Sequence, residues 1–253
     1  MPLLVLFTDF GIEGPYVGLL KLALLRGAPQ VPVIDLFHGV PAFDCQGAAY
    51  LLAAYAEEFS AGAVFLGVVD PEVGGRRAGV ILRADERLYV GPENGLFDRV
   101  AARAREVEAW NIVWEPPRLS ATFHGRDLFA PVAAMLASGQ ARPDDLGVTV
   151  PVPCRDWPDD LARIVYTDRY GNAMTGLRAA SLDVGVTLRV QGRTLARART
   201  FSEVPKGQGF WYENANGLAE LAVNQGSAAE RFRLRPGEPL EVLGNTFTGI
   251  RVR

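Results

Sequence analysis

The sequence predicts an α/β protein whose N-terminal part is built on a mostly parallel sheet and whose C-terminal part is a smaller β domain. Three observations carry that expectation. Short, uninterrupted apolar runs alternate with helical patterns through residues 1–150. A proline-rich break follows at 151–162. Beyond it, over 163–253, the segments are short, β-like and separated by glycines and polar turns. Strand and helix in alternation imply a layered domain with a mostly parallel sheet, and short strands between turn signals imply a small sandwich or barrel.

Each element has its own signal. Residues 3–7 form a continuous apolar run, as a strand buried on both faces requires. Thr8-Asp9-Phe10-Gly11 turns the chain, and Pro15 opens a helix to about Arg26, since proline suits a first helical turn. Residues 31–36 read as a second strand, and 48–58 carry apolar side chains at helical spacing. A third strand over 63–69 ends at Asp70-Pro71. Strands at 80–83 and 88–90 and a helix at 127–137 complete the first part. Pro151, Pro153 and Pro158 mark a linker. After it, 163–167, 186–190, 218–223, 240–243 and 249–252 read as strands.

Composition excludes several functions. The chain has 253 residues, 49% hydrophobic and 22% charged, with a formal net charge of -3. The longest apolar runs fall far short of the roughly 20 residues of a membrane span. No basic segment precedes an apolar run at the N-terminus, so no signal peptide is expected and the cytoplasm is the default compartment. Cys45 and Cys154 are too few and too far apart for a disulfide framework. The mild acidity argues against nucleic acid, whose phosphates call for a basic face.

Polar residues gather at strand ends, where open α/β sheets bind ligands. Asp9, Asp35 and Asp70 stand at the ends of the first three strands. His38 lies just past Asp35, and His124 opens His124-Gly125-Arg126-Asp127. Helix capping is the plain alternative for Asp9 and Asp127, and His38 reads as structural. The segment Asp70-Pro71-Glu72-Val73-Gly74-Gly75-Arg76-Arg77 matches no phosphate-loop pattern and fits a loop that sets an aspartate against an arginine. Asp9, Asp35, Asp70, His38 and His124 have the donor types of a metal site. Nearby Arg77 and Arg126 would repel a cation, so no metal is expected.

The motifs Thr8-Asp9-Phe10-Gly11, Asp35-Leu36-Phe37-His38, Val68-Val69-Asp70-Pro71, Gly91-Pro92-Glu93-Asn94-Gly95-Leu96, Phe123-His124-Gly125-Arg126-Asp127, Val165-Tyr166-Thr167-Asp168 and Gly226-Ser227-Ala228-Ala229 occur in that order. From residue 4 to about 232 the chain resembles the S-adenosyl-L-methionine (SAM) hydrolase family, the adenosine-forming SAM hydroxide adenosyltransferases, which are related to SAM-dependent fluorinases and chlorinases. The resemblance implies a Rossmann-like α/β domain, a β-barrel-like C-terminal domain, and a homotrimer with active sites formed between subunits. SAM is then the substrate, and no cofactor is implied.

Carried over by motif, Asp70, Arg77 and His124 form the catalytic set. Arg77 is preferred to Arg76 because the family's arginine stands seven residues past the aspartate. Asp9 would accept the ribose hydroxyls, Asp168 the methionine ammonium, and Asn172 would meet the adenine edge. The cluster Phe210-Trp211-Tyr212 offers a stacking face; Trp211 is counted in the binding set, and which of the three rings stacks stays open. Asn216, in Asn214-Ala215-Asn216-Gly217, stands in for a hydroxyl expected near the methionine carboxylate, and Glu220 completes the binding set. Glu72 replaces a usual glycine. The competing readings are a halogenase using the same displacement and a SAM or adenosine sensor without catalysis.

Overall fold

A computed structural model describes residues 2–244; the strand expected at 249–252 lies outside the described residues. The chain divides into two compact units, Met1–Asp156 and Trp157–Arg253.

The first unit is a seven-stranded sheet with helices on its two faces. Its strands are β1 (Leu3–Thr8), β2 (Val33–Phe37), β3 (Ala63–Val68), β4 (Gly79–Ala84), β5 (Arg87–Pro92), β6 (Val107–Ile112) and β7 (Gly147–Val150), in spatial order β2-β1-β3-β5-β4-β6-β7. Pairings among β2, β1, β3 and β5 are parallel, and those of β4, β6 and β7 are antiparallel. Five strands therefore run one way, with only β4 and β7 opposed. The continuous apolar runs of β1 and β3 are buried on both faces, as expected of central parallel strands.

On one face Leu4, Leu6, Val64 and Leu66 meet Leu20 and Leu24 of helix α1 (Tyr16–Gly27) and Val132 and Ala133 of a later helix at Ala130–Ala137. On the other, Phe65 stacks on Tyr89 with ring centroids 4.8 Å apart, and Phe97 lies against Tyr89. Phe97 leads into helix α3 (Asp98–Arg103), which packs on helix α2 (Cys45–Tyr55). Each large side chain fully buried this way contributes about 1.5–3 kcal/mol.

Several boundaries differ from expectation. Helix α2 starts three residues early because the Asp44 carboxylate accepts the Gly47 N–H at 2.9 Å and caps it. The helix expected at 127–137 is a wide i→i+5 turn, Gly125–Phe129, leading into α4 (Ala130–Ala137). Neither α3 nor the mixed polar and apolar β6 has enough periodicity to be read from sequence. A one-turn helix, α5 (Pro143–Leu146), precedes β7.

The second unit has two antiparallel sheets. One has the order β12-β13-β9-β8, from β8 (Leu161–Thr167), β9 (Ala173–Arg178), β12 (Gly209–Glu213) and β13 (Leu218–Val223). The other, β11-β10-β14, comes from β10 (Thr187–Val190), β11 (Arg193–Leu195) and β14 (Glu241–Leu243). They share a core containing Ile164, Leu177, Leu188, Trp211, Leu221 and Val242. Isolated bridges, Arg163 with Pro239 and Arg197 with Trp211, link their edges. Helix α6 (Ala228–Phe232) is capped by Ser227, whose hydroxyl accepts the Glu230 N–H at 3.0 Å.

Candidate active site

The strand order β2-β1-β3 makes the carboxyl ends of β1 and β3 a switch point. The chain leaves β1 for β2 on one side and leaves β3 for β4, beyond β5, on the other, the place where open sheets bind ligands. Thr8 pairs with Val68, so Asp9 and Asp70 leave adjacent strands nearly level. The loop after β3 returns to β4 at the same edge, because Gly79 pairs with Pro92 at the end of β5.

That loop brings Arg77 back onto Asp70. Arg77 Nη2 donates to Asp70 Oδ2 at 2.5 Å, with side chains only 9% and 4% exposed. Arg77 Nη1 donates to the Ala78 carbonyl, and Nε is buried with no acceptor among the described residues. Asp70 Oδ1 accepts the Glu72 N–H at 3.3 Å, which tightens the turn. Gly74, at φ +84°, allows the loop's close approach to the segment before His124. A Cβ there would sit 2.3 Å from the Ala121 carbonyl oxygen.

Asp9 caps no helix. Its Oδ2 accepts the Phe43 N–H at 3.2 Å, and burial, reinforced by the charge of Asp70, raises its pKa above the ordinary aspartate value. Phe43 holds a left-handed backbone, φ 67°, while its ring is 73% exposed. An aromatic residue in that conformation beside a site carboxylate is a functional signal that only the fold reveals. Ile12, Tyr16 and Val73 are also exposed, so loops after β1, β2 and β3 give the charged floor an apolar rim.

Two further residues join the floor. Asn94 donates from Nδ2 to the Val69 carbonyl at 2.8 Å and to Cys45 Sγ at 3.3 Å. The Cys45 thiol also donates to Val69 O, at 3.4 Å. Burial and the charges of Asp70, Asp9 and Asp44 push that thiol up to about 11, so it stays protonated. The residue before Asp70 is thus held from two sides.

His124 forms no hydrogen bond or ion pair with Asp70 or Arg77 among the described residues. Its ring meets Phe129 edge-on at 6.5 Å. Its neighbours Phe123 and Gly125 pack against Phe10, which keeps the His124 segment beside the turn that carries Asp9. Asp127 is structural: it accepts the Ser120 N–H at 2.9 Å and pairs with Arg126, which holds its carboxyl below the ordinary range. His38 is structural as well. It is buried between Thr8 Oγ1, 2.8 Å from Nδ1, and Asp35 Oδ1, 3.1 Å from Nε2, while Lys21 pairs with Asp35. Among the described residues no group of three or more His, Cys, Asp or Glu side chains gathers as a metal site.

The second unit carries its own polar cluster. Asp168 closes the turn between β8 and β9, with Oδ1 accepting the N–H groups of Tyr170 and Asn172 at 2.9 and 2.8 Å. Gly171 in that turn, at φ +80°, admits Ser227, whose Oγ would lie 2.0 Å from any Cβ there. The Asn172 amide donates to Asp168 Oδ2 at 3.2 Å. Glu220, 2% exposed, accepts from Tyr212 Oη at 2.6 Å and from Asn214 Nδ2 at 2.8 Å. Burial, with the charge of Asp168, raises the Glu220 pKa, and burial together with Glu220 raises that of Tyr212. A pocket is lined by Asp168, Asn172, Phe201, Tyr212 and Gln225.

Trp211 is not in that pocket. It is fully buried, its Nε1 donating to the Val186 carbonyl at 3.0 Å. Strand alternation explains the correction: Trp211 pairs with Leu221 on the core face, while Tyr212 pairs with Glu220 on the other. Asn216 sits in the turn between β12 and β13, where its N–H donates to Asn214 Oδ1 at 3.0 Å.

The profile of the SAM hydroxide adenosyltransferase N-terminal domain matches residues 4–147, and that of the C-terminal domain residues 162–241. An (R)-S-adenosyl-L-methionine hydrolase from Thermus thermophilus is 41% identical, over 93% of this chain and 97% of its own. A fluorinase from Nocardia brasiliensis is 22% identical, over 95% of this chain and 96% of its own. The crystal structure of an uncharacterized conserved protein from Thermotoga maritima superposes with a TM-score of 0.86 at 28% identity, over 95% of this chain and all of that one.

Proposed function

The chain belongs to the SAM hydroxide adenosyltransferase family, and we propose on that premise that it hydrolyses SAM to adenosine and L-methionine. A water oxygen attacks the ribose 5′ carbon, the C5′–S bond breaks, and both bonding electrons go to sulfur, which leaves as a neutral thioether. One proton passes from the water to solvent. The sulfonium needs no acid to depart, so the protein's task lies with the nucleophile.

The observation that carries this reading is the Asp70–Arg77 pair, buried at the switch point, with Arg77 Nε lacking an acceptor among the described residues. In our reading Asp70, Arg77 and His124 hold the attacking water. Arg77 favours hydroxide character on it, and Asp70 or His124 accepts its proton. General-base help of this kind is worth about 10² to 10⁴ in rate, and in-line positioning supplies much of the rest. Asp9 accepts the ribose hydroxyls. On the second unit, Asp168 receives the methionine ammonium, Asn172 meets the adenine edge, and Asn216 lies near the methionine carboxylate. The stacking role passes from Trp211 to the pocket rings Tyr212 and Phe201.

We also infer a homotrimer, in which neighbouring subunits complete each site. The apolar rim of Ile12, Tyr16, Phe43 and Val73 supports this, since exposed apolar surface around a polar floor marks an interaction site. Halogenation has less support: the hydrolase relative is 41% identical and the fluorinase 22%, and this chain has both Arg77 and His124.

The test is chromatography of SAM incubated with the protein, with and without excess chloride. Adenosine and methionine in both mixtures support the proposal. A 5′-chloro-5′-deoxyadenosine peak, or intact SAM bound but unchanged, overturns it.

A further inference from the structure

The turn after β5 reaches both members of the Asp70–Arg77 pair. The Glu93 N–H donates to the Ala78 carbonyl at 3.1 Å, and Arg77 Nη1 donates to the same oxygen at 3.2 Å. A carbonyl oxygen has two lone pairs, so the turn and the guanidinium share one anchor. One residue further on, the Asn94 amide donates to the Val69 carbonyl, next to Asp70. A shift of this turn therefore moves the aspartate and the arginine together.

Arg155 ties the turn down. Its Nη2 lies 3.1 Å from Glu93 Oε1 and 3.4 Å from the Glu93 carbonyl oxygen, and its Nη1 lies 3.4 Å from each oxygen of Asp98. The Arg155 N–H also donates to Asp98 Oδ2 at 2.8 Å. Asp98 opens α3 and is 4% exposed, and its own N–H donates to the Gly95 carbonyl at 3.0 Å. The stretch 93–98 is thus held at both ends by one side chain. A buried carboxylate calls for a cation, and Nη1 alone meets that need. The Glu93 arm adds nothing to it, yet falls on the residue that shares Ala78 with Arg77. Arg155 stands in the linker, two residues before the second unit begins at Trp157.

We propose that Arg155 is a positioning residue for catalysis: by bridging Glu93 to Asp98 it fixes the turn whose hydrogen bonds aim Asp70 and Arg77. It acts through Glu93 and Asn94, and the inference rests on the reading above that the pair holds the attacking water.

Initial rates with SAM and thermal melts test it in the wild type, Arg155→Ala, Arg155→Lys, Asn94→Ala and the double variant Arg155→Ala/Asn94→Ala. Arg155→Ala should lower kcat about fivefold to tenfold with KM within about twofold, as when a distant contact misplaces reacting groups. Lysine offers a single charge centre where the guanidinium offers a fork. Arg155→Lys keeps a cation at Asp98 but not the span to Glu93, so most of the Tm should return while kcat stays low. Because both residues act through one turn, the double variant should fall little below Asn94→Ala. Recovery of kcat along with Tm in Arg155→Lys overturns the proposal and leaves Arg155 a stabiliser of Asp98. Multiplied losses in the double variant overturn it too, as does wild-type kcat in Arg155→Ala. Should Arg155→Ala fail to fold, Glu93→Ala leaves Asp98 its cation and carries the same expectation, with unchanged kcat again the contrary result. Any of these contrary results beside normal wild-type turnover sinks this inference alone. No turnover of SAM by the wild type sinks the functional reading and this inference with it.

Discussion

Arg77 Nη2 lies 2.5 Å from Asp70 Oδ2, and the two side chains are seven residues apart on one loop yet both more than nine-tenths buried. Burying a charge pair is tolerable only while both partners remain. Arg77→Ala leaves Asp70 as an unpaired buried carboxylate, with an expected stability loss of about 3 kcal/mol. It also removes the group to which we assign stabilisation of hydroxide character, and kcat should fall on the order of 10² to 10³. Denaturant melts and initial rates check both. A variant with wild-type kcat removes Arg77 from the mechanism.

Asp9 gives opposite predictions for stability and activity. Its folded pKa lies above the ordinary value because burial and Asp70 disfavour its charge. The folded state therefore holds that proton more tightly than the unfolded chain. Stability from this group is present below the ordinary aspartate pKa and is lost as pH rises through the raised one. Asp9→Asn should be at least as stable as wild type at neutral pH. In the role proposed for Asp9 the carboxylate accepts two hydroxyls, so wild-type kcat/KM should fall as pH drops through the raised pKa. That acid limb should vanish in Asp9→Asn, on a much lower plateau. Loss of Tm at pH 7 in the variant would contradict the electrostatic argument.

Asn94 should act through Asp70. Removing its amide in Asn94→Ala leaves the buried Val69 carbonyl with only the weak Cys45 donor, costing about 1–2 kcal/mol. The backbone that aims Asp70 loosens, so kcat should drop about tenfold with little change in KM. A change confined to KM would place Asn94 in substrate binding instead.

Trp211 and Tyr212 separate core from site. Trp211→Phe opens a small void and strands the Val186 carbonyl, for a loss of about 1–3 kcal/mol with KM for SAM unaltered. Tyr212→Phe removes the hydrogen bond to Glu220 at the pocket wall and should raise KM instead. Urea melts and saturation curves on both variants decide the assignment.

How far the sequence could be read follows from these same residues. Strands β1 and β3 were legible because a parallel strand buried on both faces must be continuously apolar, and their ends pointed to Asp9 and Asp70. The antiparallel β6 and β9 mix polar and apolar residues and give no such run. In Phe210-Trp211-Tyr212 the sequence shows three rings, but only the pairing with β13 shows which of them faces the core. The roles of Phe43 at Asp9, and of Asn94 and Cys45 at Val69, arise from contacts 24 to 49 residues apart. No local pattern carries such contacts. That an arginine of the same short loop meets Asp70 was accessible from the sequence, with Arg77 preferred to Arg76 only through the family resemblance, whereas Asp127, read as a possible cap, proved to brace the chain at Ser120.

The most direct test of attack at the 5′ carbon is turnover of SAM in ¹⁸O-enriched water, with mass spectrometry of both products. The account predicts one ¹⁸O in the 5′ hydroxyl of adenosine and none in methionine. Label in an amino-acid product, or release of 5′-methylthioadenosine, would show cleavage of a different C–S bond and contradict the role given to Asp70 and Arg77.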